Sequence, residues 1–136
     1  MTSIVAEVGY EVPALKLPPI TRTTLALFAG ASGDHNPLHI DTDAAKAAGF
    51  DDVFSHGLLS MAYLARLLTN LFPQEQIRSY QVRFGAITPV YAEPICSATV
   101  AAIERDASET RATLDLRVVM PDGTVTLTGE AVVVVD

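Results

Sequence analysis

The chain is built on two hydrophobic periods, helical in its first half and alternating in its second. From about Gly57 to Leu71 the residues are apolar nearly all round, with small Ala62 and Ala65 among Leu58, Leu59, Met61, Leu64, Leu67 and Leu68. That pattern predicts a helix buried on most sides. Upstream, Pro13, Pro18 and Pro19 mark an extended lead-in, after which Thr21 or Thr23 caps a short helix carrying Leu25, Phe28 and Ala29 on one side. Gly30 and Gly33 are expected to stop it. Asp41-Thr42-Asp43 then opens a second short helix over Ala44 to Ala48, ended by Gly49, with its acidic residues at the positive end.

In the second half Ala112, Leu114, Leu116 and Val118 alternate with Thr113, Asp115 and Arg117, and Val125 and Leu127 alternate with Thr124, Thr126 and Thr128. These are half-buried strands. Pro121-Asp122-Gly123 between them supplies a hairpin turn, because Asp-Gly tolerates the positive φ that such turns need. Earlier strands are expected over Arg78 to Phe84 and about Ile95 to Glu104, separated by Pro89 and Pro94. Helices followed by consecutive antiparallel strands give an α+β domain, and a lone helix that is apolar all round suits one wrapped by the sheet.

Composition narrows the class. At 136 residues, 49% of them hydrophobic, the chain reads as one domain, 1–136, with a real core and no repeat, linker or low-complexity stretch. The N-terminus lacks a charged region followed by a long apolar one, and Ser60, Tyr63 and Arg66 interrupt the most apolar stretch, so neither secretion nor membrane spanning is expected. A single cysteine, Cys96, cannot form an internal disulfide, which fits a reducing cytoplasm; with no partner motif beside it, it reads as a small buried hydrophobe rather than a nucleophile. The net charge of -7 argues against nucleic acid as a partner.

Two runs carry chemistry: Ser32-Gly33-Asp34-His35-Asn36-Pro37-Leu38-His39 and Phe54-Ser55-His56-Gly57-Leu58-Leu59. The first sets a carboxylate and an imidazole five residues apart, with a Pro between them that bars a regular helix interior. The second ends in a Gly just before the apolar helix, where free backbone N–H groups can face a substrate oxygen. Together they suggest acid/base chemistry on a carbonyl compound.

Gly33-Asp34-x-Asn36-Pro37-x-His39, followed by His56-Gly57, resembles the motif of the MaoC-like, R-specific enoyl-CoA hydratase and dehydratase family, over about Ile20 to the C-terminus. The resemblance implies a hotdog fold, a curved antiparallel sheet wrapped around one long central helix. It implies a thioester substrate carried by coenzyme A or by acyl carrier protein, no cofactor beyond the coenzyme A of the substrate itself, and dimers whose sheets join edge to edge. A homodimer is expected, with a heterodimer as the alternative. A polyanionic coenzyme A sits awkwardly with the acidic chain, so local cations such as Lys16, Arg22, Lys46, Arg66, Arg78 and Arg83 would have to offset the global field.

Carried onto this chain, the family pattern makes Asp34 and His39 a pair sharing one water, which attacks C3 of a trans-2-enoyl thioester while a proton goes to C2. Each acid/base function is worth ~10²–10⁴-fold. The backbone N–H of Gly57 becomes the oxyanion donor, worth roughly 3–4 kcal/mol. Asn36 and Pro37 hold the loop, and His56 orients the turn into Gly57. Some members place a hydroxyl beside the catalytic Asp at the position matched here by Ala65; Ser60, one turn into the helix, either replaces that support or lines the pocket. His35 occupies a variable position and reads as surface.

Other chemistries fit less well. His35-x3-His39 would resemble a metal pair on a helix, but Pro37 interrupts it and no Glu follows His35, so no metal is expected. Ser55-His56 lacks the Gly-x-Ser-x-Gly context of a hydrolase. The sequence reading is therefore a hydro-lyase interconverting trans-2-enoyl and (3R)-3-hydroxyacyl thioesters. Its rivals are a subunit of a heteromeric acyl-carrier-protein dehydratase and a non-catalytic acyl-thioester-binding hotdog protein. The Val-rich final strand, Ala131 to Val135, is expected to leave a β-edge that a monomer would have to protect.

Overall fold

The computed structural model describes residues 4–135. The elements run β1 (Leu15–Lys16), α1 (Arg22–Ser32), a 3-10 turn (Pro37–His39), α2 (Thr42–Ala47), α3 (Gly57–Leu71), a second 3-10 turn (Gln74–Gln76), β2 (Ile77–Phe84), β3 (Ile95–Arg105), β4 (Thr110–Val119) and β5 (Val125–Val135). The strands form one antiparallel sheet in the order β1-β3-β4-β5-β2. This sheet packs on α3, and the expected hotdog architecture is present. No helix among the described residues is long and apolar enough to cross a membrane.

The caps follow side-chain chemistry. Thr21 Oγ1 accepts the Thr24 N–H at the start of α1, and Asp41 accepts the N–H groups of Asp43 and Ala44 at the start of α2. Only Gly33 stops α1, at φ 76°, with its N–H on Ala29 O; Gly30, expected to share that role, lies inside the helix. Gly30 does not take the positive φ of a helix terminator, so it weakens the helix without ending it.

α3 has the predicted bounds but not the predicted burial. Leu59, Ser60, Leu64, Leu67, Leu68 and Leu71 face the interior, whereas Leu58 is 52% exposed and Ala62, Arg66 and Thr69 continue the same stripe. One sheet covers one helical face, and α1 and its flanking loops cover only part of the rest. Tyr80 on β2 fixes the helix to the sheet edge by donating its O–H to Met61 O at 2.7 Å.

β4 alternates as read, with Ala112, Leu114, Leu116 and Val118 buried. β5 departs at its start: Val125 is exposed and Thr126 is buried. The register explains it. Val119 pairs with Val125 and Val118 with Leu127, so Thr126 is the extra residue of a bulge, and its hydroxyl donates to Val118 O at 3.4 Å. In the preceding turn Gly123 alone takes positive φ, 90°, and its N–H reaches Met120 O.

The expected β-edge at Ala131 to Val135 is not there. β5 runs between β4 and β2, and Ala131, Val133 and Val135 are buried. The valines are numerous because this strand is interior. The edge belongs to β2; at the opposite side β3 is partly covered by β1 and by the Glu11–Thr99 bridge. Cys96 is buried in β3, and burial pushes its thiol up to about 11.

Candidate active site

Gly33 turns the chain out of α1, and the next residues are held by their own side chains. Asp34 N–H donates to Ser32 Oγ (3.2 Å), Asn36 N–H to Asp34 Oδ1 (3.3 Å) and Leu38 N–H to Asn36 Oδ1 (3.0 Å). Asn36 thus caps the 3-10 turn that begins at Pro37, where the missing N–H and fixed φ are suited to a first helical position. This turn carries His39 inward, buried, while His35 and Asn36 stay exposed.

His39 Nδ1 lies 2.7 Å from the carbonyl oxygen of Phe54, which can only accept, so Nδ1 carries the proton. In the neutral ring Nε2 is then a free lone pair, the form required of a base. The Phe54 ring stands edge-on to His39 at 5.0 Å. The segment bearing Phe54 is held on both sides: Asp52 pairs with Arg22 on α1, Phe54 N–H donates to Leu38 O at 3.3 Å, and Ser55 N–H donates to Thr88 O at 2.9 Å.

His56 is the N-cap residue of α3 and is 1% exposed. Its ring lies between Phe28 (4.9 Å, edge-on) and His39 (4.0 Å, stacked), and its Nε2–H donates to the backbone oxygen of Asp34 at 3.2 Å. Desolvation holds its pKa below the ordinary imidazole value; the Asp34 carbonyl opposes this and a charge on His39 reinforces it. The two sequence runs therefore meet. A carboxylate oxygen of Asp34 and a ring nitrogen from each of His39 and His56 lie within 4.8 Å of one another. Three such donors form a set that could hold a metal ion, though the two imidazoles meet face to face while the nitrogen lone pairs that would bind it lie in the ring planes.

Gly57 opens α3 beside this cluster. Its Cα lies under the Phe84 ring, so a β-carbon there would come within 2.9 Å of two ring carbons. His39, Ser55, Gly57, Phe84, Thr88 and Leu127 are among the residues lining a mostly apolar cleft of about 190 Å³. Ser60 is fully buried one turn into α3, and Ala65 is half-buried farther along it. Sequence reasoning did not find Phe54 as the partner of His39 or Phe84 as the cover of Gly57. Phe54 lies in the second run but acts through its backbone carbonyl, which residue type does not mark, and Phe84 comes from the far end of a strand.

The arrangement offers a lone-pair nitrogen and the N-terminus of a helix at one small cleft, with a half-buried carboxylate within 4.8 Å of the histidine nitrogens. That is the equipment for moving a proton while an oxyanion is stabilised.

The chain has known relatives in both sequence and fold. The chain is 30% identical over 109 residues to the (R)-specific enoyl-CoA hydratase of Aeromonas caviae, covering 80% of this chain and 81% of that one. It is 28% identical over 110 residues to 3-hydroxyacyl-thioester dehydratase Z of Mycobacterium tuberculosis, covering 76% and 73%. Among solved structures, the (R)-hydratase from A. caviae involved in PHA biosynthesis superposes with a TM-score of 0.83 at 29% identity, over 96% of this chain and 97% of that one. Residues 4–114 match the family described as the MaoC like domain, and the chain belongs to that family.

Proposed function

We propose that this protein is a hydro-lyase that interconverts trans-2-enoyl and (3R)-3-hydroxyacyl thioesters, with coenzyme A as the carrier. The observation that carries the reading is the approach of Asp34 and His39, a carboxylate oxygen and a ring nitrogen within 4.8 Å, with the lone pair of His39 fixed on Nε2 by the Phe54 carbonyl. A water between the two groups gives its hydroxyl to C3, and a proton passes through the pair to C2. Neither group is changed at the end of the cycle. The enolate-like charge on the thioester oxygen is met by the Gly57 N–H at the positive end of α3.

The cleft is smaller than a whole ligand site of ~300–1,000 Å³, and it fits the reacting end of a long thioester rather than all of it. In this reading the remainder of the carrier lies outside the cleft, the reaction needs no added cofactor or metal, and the enzyme works as a dimer in the cytoplasm. The test is a panel of purified enoyl thioesters of increasing acyl length on coenzyme A and on acyl carrier protein, each with the chain alone. Turnover of the coenzyme A series supports the proposal. Turnover only on the carrier protein, or only with a second subunit, replaces it with the heteromeric dehydratase.

A further inference from the structure

Two buried polar side-chain atoms among the described residues have no hydrogen-bond partner: His56 Nδ1 and Ser60 Oγ. They belong to one helix start: His56 is the N-cap of α3, its ψ of 133° lying outside the helix, and Ser60 is the fourth helical residue, whose side chain leans back toward the N-terminus and so toward the cap. Buried polar groups without partners are rare because each forfeits its hydrogen bond to water.

Their needs are complementary. The Nε2–H of His56 is committed to the Asp34 carbonyl, so in the neutral ring Nδ1 is a bare acceptor. The Ser60 hydroxyl is a donor at 0% exposure. We propose that Ser60 donates its hydroxyl proton to His56 Nδ1, by rotation of its side chain or through one buried water, and is a positioning residue for the Asp34 and His39 pair. A single water with these two partners and a nearby backbone group would be an ordinary buried water.

The contact locks the ring at both nitrogens. With Nδ1 held, His56 keeps the tautomer that anchors the Asp34 loop through its carbonyl, and keeps the face on which His39 stacks at 4.0 Å. Ser60 acts on the chemistry only through His56. The catalytic half of this proposal rests on the hydratase reading; the contact itself does not.

The experiment compares wild type, Ser60→Ala and Ser60→Thr by nitrogen-15 NMR of the imidazoles and by steady-state kinetics on an enoyl-CoA. The chain has three histidines, and His56→Asn assigns the resonances by deletion. The expected result is a His56 Nδ1 resonance of a hydrogen-bonded acceptor that moves to the unbonded position in Ser60→Ala and returns in Ser60→Thr. In parallel kcat should fall about 10-fold in Ser60→Ala with KM little changed, and Thr should rescue it. An Nδ1 resonance indifferent to Ser60→Ala overturns the contact. A resonance that moves while kcat does not overturns the positioning role. If wild type has no activity but the resonance responds, the contact stands and the hydratase reading fails.

Discussion

His39 and His56 stack with ring centroids 4.0 Å apart and 28° between their planes. Two imidazoles so placed resist carrying charge together, and burial already disfavours the charged form of His56. The charged form of His56 is thus disfavoured, which suits it to a neutral support beside His39.

A pH dependence of stability follows. The folded pKa of His56 is lowered from 6.5, so below that value the unfolded chain binds a proton that the folded chain refuses. Stability contributed by the neutral ring is complete above pH 6.5 and is lost as pH falls toward the lower folded pKa. Asp106 and Glu109, held at about 2 by hydrogen bonds from Ser108 and from Arg78 respectively, act at more acid pH. Urea unfolding from pH 7.5 to 5 should show a falling midpoint in wild type and a flatter profile in His56→Gln, whatever that variant's overall stability. Equal slopes would remove His56 as the source.

Asp34→Asn and His39→Ala should each lower kcat by ~10²–10⁴-fold with the fold intact by circular dichroism. Both groups act on one water, so the double variant should be little worse than the poorer single one. A double loss equal to the sum of two large single losses in log rate would mean that they act independently.

The Phe84 ring covers Gly57, whose φ is not in the left-handed region, so space rather than backbone freedom demands the glycine. Gly57→Ala should displace the ring or the helix start, cost about 1–3 kcal/mol of stability and reduce kcat. Adding Phe84→Leu should recover part of both losses, read by thermal unfolding and by the enoyl assay. Recovery in neither would break the packing explanation.

Among the described residues β2 is an edge strand paired only with β5, and Phe84 at its end is 54% exposed, with Leu58 and Ile87 also exposed. An open edge with large apolar neighbours is what a second chain covers. Sedimentation velocity at micromolar concentration should give a dimer, and Ser79→Pro on β2 should weaken it. A stable, active wild-type monomer would contradict this.

The sequence was most informative where local chemistry decides the structure. Thr21, Asp41 and Gly33 mark helix ends through capping and positive φ, and Gly57–Leu71 is long and apolar enough to define its own bounds. The loop from Asp34 to His39 was legible because Pro37 and Asn36 shape it locally. Burial was less legible, because it depends on partners distant in the chain: the exposed stripe of α3 is set by what the sheet leaves uncovered, and the interior place of β5 by topology. The Thr126 bulge is a matter of register against β4, which alternation within one strand does not encode. The stacking of His56 on His39 joins positions 17 apart, and neither motif states that distance.

The central claim is that Asp34 and His39 direct water to C3 while Gly57 holds the thioester oxygen. It is tested most directly by adding crotonyl-CoA and following the enoyl absorbance and a thiol reagent together, with the product then offered to R-specific and S-specific dehydrogenases. The account predicts loss of enoyl absorbance without thiol release, and oxidation of the product only by the R-specific enzyme. Thiol release in step with enoyl loss would identify a thioesterase, and an S alcohol would contradict the geometry assigned to the site.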